Sequence, residues 1–101
     1  MKALLIDGDT QTVEEVEIAG KDDLSDLIGY ETLESDAVGD AGDRLYFDEE
    51  CFLRGSKGRF QIDSVIPVAG KGVIVGTADD GATLQDVVIS AEELRERIKY
   101  F

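Results

Sequence analysis

The sequence predicts an α+β domain: a mostly antiparallel sheet of four to six strands with two short helices on one face. Three observations lead there. Short apolar or alternating segments are separated by turn residues, as at Asp7-Gly8, Ala69–Gly72 and Ala78–Gly81. Only two segments, Lys21–Ile28 and the stretch after Ser90, combine helical spacing with helix end signals. Too few residues lie between the strands for the crossovers of a parallel sheet. With 101 residues, 43% of them hydrophobic, the chain makes one domain, residues 1–101, with a single core.

Lys2–Ile6 reads as a strand, and Asp7-Gly8-Asp9-Thr10 as a turn. Thr12–Ile18 alternates, with Val16 and Ile18 on the inward side, so the two segments form a hairpin. Gly20 breaks the strand. Lys21–Ile28 reads as a helix, with Asp22 or Asp23 at its N-terminus and Gly29 just past its end. Leu24, Leu27 and Ile28 share one face of it. Tyr30–Glu34 returns to strand composition. Ser35–Asp43, rich in Asp and Gly, predicts a flexible acidic loop.

Arg44–Asp48 is a strand with Leu45 and Phe47 on one face and Tyr46 on the other. Asp48–Glu50 turns, and Cys51–Leu53 reads as the second arm of a hairpin. Phe60–Ile66 is extended and irregular. Pro67, which lacks an amide donor, belongs at an edge or turn. Val73–Thr77 is the buried strand around which the rest packs, and Leu84–Val88 a last short strand. Ser90 caps the closing helix, with Glu93 three residues on as the partner of a capping box. Ala91, Leu94 and Ile98 form its buried face.

The net charge is -13, from 23 acidic and 10 basic residues. That charge opposes sequence-independent nucleic-acid binding, which needs a basic footprint, and opposes anionic membranes. No apolar run is long enough for a membrane span or a signal peptide, so a cytoplasmic protein is expected. The single Cys51 agrees with a reducing compartment. The acidity has three explanations: solubility by self-repulsion, adaptation to a salt-rich cytoplasm, or an acidic surface for a basic protein partner.

Motifs for chemistry are weak. Gly70-Lys71-Gly72 lacks the spacing and the Ser or Thr of a phosphate loop, and it enters a strand. Asp7-Gly8-Asp9-Thr10 lacks the later ligands of a calcium loop. No histidine exists to activate Cys51 or to join it in a metal site. No carboxylate pair is singled out. Neither cofactor nor metal is therefore expected, and no catalytic residue is assigned. The one local oddity is basic. Arg54, Lys57 and Arg59 fall within six residues and, with Lys71, form the candidate contact for a partner or an anion. Their alternative role is to neutralise nearby acids.

The order of features resembles a family of small uncharacterised proteins carried mainly by phages and plasmids. The matching pieces are Lys-Ala-Leu-Leu-Ile-Asp-Gly-Asp, Asp-Asp-Leu-x-x-Leu-Ile-Gly-Tyr-Glu, Leu-Tyr-Phe-Asp-Glu-Glu, Ile-Pro-Val-Ala-Gly-Lys-Gly-Val-Ile-Val-Gly and the closing Ser-Ala-Glu-Glu-Leu. The chain departs from the family at Ser35–Asp43 and in the Arg54–Arg59 segment. The resemblance carries no catalytic residues. It implies a non-enzymatic accessory role in a mobile genetic element, including inhibition of a nucleic-acid enzyme by acidic mimicry.

Overall fold

The computed structural model describes residues 1–101, apart from the side chain of Asp80. Its nine strands are β1 (Lys2–Asp7), β2 (Thr12–Glu17), β3 (Leu33–Val38), β4 (Asp43–Asp48), β5 (Arg59–Ile62), β6 (Val68–Ala69), β7 (Lys71–Ala78), β8 (Thr83–Gln85) and β9 (Ile98–Tyr100). The helices are α1 (Lys21–Ile28) and α2 (Ala91–Arg97). The main sheet runs β2-β1-β7-β4-β3, with β8 paired to the far end of β7. A smaller sheet runs β6-β5-β9. Every pairing is antiparallel. The α+β architecture with two short helices and a mostly antiparallel sheet is as the sequence predicts.

β7 holds the centre because its composition suits burial on both faces. Val73, Ile74 and Val75 are fully buried. Successive side chains alternate faces, so Val73 and Val75 join one core and Ile74 the other. The first core, with Ala3, Ile18 and Tyr46, is closed by Leu24 and Ile28 of α1. The second, with Leu4, Ile6, Leu45 and Phe47, is closed by Phe60, Ile62 and Val68 of the small sheet and Leu94 of α2. The helices therefore cover opposite faces of the main sheet, where the sequence reading placed both on one. A strand with apolar residues at every position needs a cover on each side, and a domain of this size supplies one helix to each.

Gly72 answers to the second core. A Cβ there would stand 2.9 Å from both the Phe60 ring and Leu45 Cδ1, so the small sheet packs onto bare backbone.

Four local expectations are corrected. Ser35–Asp43 is not a loop: Ser35–Val38 lies in β3, Asp43 begins β4, and only Gly39–Gly42 turns. Cross-strand pairing overrides the local acidic composition, aided by Arg44, whose Nε donates to Ser35 Oγ at 3.0 Å. Cys51–Leu53 is a 3-10 turn and not a hairpin arm. Its Cys51 is drawn into the core while Phe52 and Leu53 stay outside. α1 is capped by Gly20, with no side-chain cap. Asp23 instead reaches back to accept from the Ala19 amide at 2.6 Å. Finally, α2 ends at Arg97, because Ile98–Tyr100 pairs with β5.

Half of the predicted capping box of α2 forms: Ser90 Oγ accepts from the Glu93 amide at 3.1 Å, but among the described residues the Glu93 side chain does not return to the Ser90 amide. Glu93 turns toward Arg97 at 3.8 Å.

Candidate functional site

Three backbone segments meet at one end of the main sheet: the Gly8 turn, the loop before β5 and the bend at Gly70. The Gly8 amide donates to the Gly70 carbonyl at 2.8 Å, and the Gly70 amide to the Gly58 carbonyl at 3.0 Å. Asp9 Oδ1 accepts from the Gly58 amide at 2.6 Å. A Cβ on Gly8 would lie 2.9 Å from the Gly58 carbonyl oxygen. Glycine at these points lets three chains pass within backbone contact. Beside the junction opens a cleft of about 270 Å³ whose lining includes Asp9, Tyr30, Asp48, Arg54, Ser56 and Lys71.

Asp48 forms the floor. It is buried at the end of β4, in phase with Tyr46 on the α1 side of the sheet. Its carboxylate accepts from Arg54 Nε at 2.8 Å, from the Glu50 amide at 3.2 Å and from the Thr32 hydroxyl. Burial works against its ionisation. The hydrogen bonds from Arg54, Thr32 and Glu50, with the Arg54 charge, outweigh that and hold the carboxyl below the usual range. Arg54 also reaches Glu50 at 3.3 Å and lies over the Tyr30 ring at 4.1 Å. Its pKa is raised, chiefly by the Asp48 hydrogen bond.

A carboxylate held ionised by three donors is a poor general acid, and its oxygens are already committed. Cys51 is buried in the cleft wall, where its Sγ accepts from the Ala69 amide at 3.4 Å. Among the described residues no group of three or more His, Cys, Asp or Glu side chains can hold a metal ion.

The four candidate contact residues take different places around the cleft. Arg54 and Lys71 line the cleft, while Lys57 and Arg59 do not. Arg54 neutralises Asp48 and Glu50, the alternative role weighed from sequence. Arg59 begins β5 and lies over the Phe52 ring at 5.2 Å. Lys57 and Lys71 are exposed and, among the described residues, form no ion pair.

No family model, curated protein or solved structure matches this chain.

Asp48 and Thr32 escaped the sequence reading, because a residue 16 positions away means nothing until β3 and β4 pair. One signal was available. Asp48 keeps the alternation of Tyr46, so an acid at that phase had to point inward and needed partners.

The remaining arginines also have partners within the chain. Arg44 bonds Ser35, Arg95 donates to the Val13 carbonyl at 2.7 Å, and Arg97 pairs with Asp63. All five arginines are thus engaged within the fold. Meanwhile exposed acids stand on α1 (Asp22, Asp26), on α2 (Glu92, Glu96) and on the outer strands β2 and β3.

Proposed function

We propose that this is a non-enzymatic interaction protein of a mobile genetic element that binds a basic protein partner through its acidic surface. The observation that carries the binding role is the asymmetric use of charge. The arginines are spent on internal contacts, at Ser35, Asp48, Phe52, Val13 and Asp63, and the surface left to a partner is acidic. The mobile-element setting rests on the resemblance in motif order. Duplex mimicry would need acids along one stripe. These stand on both faces and on both outer strands, which favours a protein partner over a nucleic-acid-binding groove as the target. Association driven this way is fast and falls steeply with salt. The immobilised protein should retain a basic protein from host lysate at low salt and release it at high salt. A column that retains nothing at low salt would sink the proposal.

The even spread of acids favours a second reading, solvation in a salt-rich cytoplasm. Its mark is a chain that unfolds on dilution of salt and refolds when about 1 M salt shortens the screening length to about 3 Å. Full stability in dilute buffer would count against it.

A further inference from the structure

The two outer edges of the main sheet are not alike. At β2, Arg95 caps the edge by donating to the Val13 carbonyl at 2.7 Å, and α2 packs beside it. At β3 the comparable contact is a single one, from Arg44 to the Ser35 carbonyl. β3 pairs with β4 alone, and among the described residues its outer side makes no backbone–backbone hydrogen bond from Glu34 to Val38. The peptide planes show which groups lie there. The Gly42 carbonyl accepts from Thr77 of β7, so the Asp43 amide in the same plane points to β3. By antiparallel alternation, Val38, Asp36 and Glu34 face β4, while Ala37 and Ser35 direct their amides and carbonyls outward. Of these, the Ser35 carbonyl has one partner, Arg44 Nη2 at 3.1 Å.

Two further features flank that edge. Glu34 and Asp36 stand on β3 itself, so a second copy of this strand would be repelled. Beside Asp36 and Ala37 runs a groove of about 330 Å³ walled by Val65 and by Ile66, which is 48% exposed. An open ladder gives affinity to an extended chain, the acids select its sign, and Val65 and Ile66 beside them offer apolar surface to the stems of long basic side chains.

We propose that β3 is a docking edge for an extended segment of a partner protein in which basic and apolar residues alternate, added as a further antiparallel or parallel strand. Lysines or arginines of that segment lie on the face that carries Glu34 and Asp36, where their methylene stems run along Val65 and Ile66, and its apolar residues fall on the opposite face, the side of Leu33. The inference rests on the acidic-surface reading and gives it an address.

The test uses the whole protein and a synthetic peptide alternating lysine with valine. Titration followed by backbone amide NMR at low salt should move the signals of residues 33–38 and 64–66. Ala37→Pro removes an outward amide without touching the ladder to β4, and proline is tolerated on edge strands. It should weaken binding about five- to tenfold, the measure of one lost hydrogen bond. Should that variant fail to fold, the same peptide N-methylated on alternate residues replaces it and should bind the unaltered protein as weakly. Asp36→Lys should abolish binding. Shifts spread over α1 and α2, unchanged by Ala37→Pro or N-methylation, would overturn the docking edge and leave the acidic-surface reading standing. No binding at low salt would overturn both.

Discussion

At the scale of single residues, the fold depends on a few polar groups whose partners come from far along the chain. Asp48 is the clearest. Removing its carboxyl would leave the Thr32 hydroxyl and the Glu50 amide without their acceptor at the end of β4. Asp48→Ala should cost about 1.5–3 kcal/mol in urea unfolding, the range for hydrogen bonds to a charged group. The pH dependence follows from the same contacts. The folded carboxyl is held below its unfolded value, so its stabilisation is complete above the usual carboxylate range. It is lost as pH falls through the lowered value. Asp63, lowered by its hydrogen bond from Arg97, acts in the same sense. Acid unfolding followed by circular dichroism should therefore be shallower in Asp48→Asn than in the parent. Equal slopes would mean that Asp48 carries none of the acid sensitivity. Gly58 tests the backbone junction: a Cβ there collides with the Gly8 carbonyl. Gly58→Ala should lose about 2 kcal/mol or more, against little change for Ala41→Ser in the exposed turn between β3 and β4.

At the scale of elements, local signals succeeded where the backbone itself needed a partner and failed where pairing supplied it. The end of α1 at Gly29 and the cap of α2 at Ser90 could be read directly, because helix termini leave orphan amides and carbonyls that few residue types satisfy. β3 could not. Beyond Leu33-Glu34 its Ser-Asp-Ala-Val composition is that of a loop, and only the ladder to β4 makes it a strand. The end of α2 was misplaced for the same reason, since Ile98–Tyr100 leaves the helix to pair with β5. α2 brings Leu94 into the second core and delivers β9 to the small sheet. Loss of its cap should therefore reach beyond the helix. Ser90→Ala should cost about 1 kcal/mol, read as a lower urea midpoint, with faster amide exchange in β9 as well as α2. Exchange that quickens in α2 alone would show the two elements to be uncoupled.

At the scale of the whole molecule, charge and core size compete. Two thin cores, one on each face of the main sheet, must hold a chain of net charge -13. Among the described residues, ion pairs engage six of the acids, Glu15, Glu17, Asp48, Glu50, Asp63 and Glu93, and most of these pairs are exposed. Surface pairs of this kind contribute at most about 1 kcal/mol each. Self-repulsion among the unpaired acids therefore outweighs them, and screening should relieve it. Thermal midpoints should climb as salt is raised through the range where the Debye length falls below about 10 Å. A midpoint that stays level or drops would mean that the pairs, and not the repulsion, dominate. The same balance bears on binding, since salt that steadies the domain weakens its hold on a basic partner.

Sequence by itself determined the α+β class, the helix at Lys21–Ile28, the first hairpin and the burial of Val73–Val75, since these follow from periodicity and turn chemistry within a few residues. It also set the sign of the surface charge. Tertiary structure alone decided that the helices take opposite faces, that Ser35–Val38 is an edge strand, and that Asp48 meets Thr32 and Arg54 beside a cleft. It also gave Arg54 to an ion pair with Asp48 and Arg59 to the Phe52 ring, partners that the chain order did not show. The reason is physical. Periodicity reports how one segment presents its side chains, whereas a ladder or an ion pair depends on which distant segment is brought alongside.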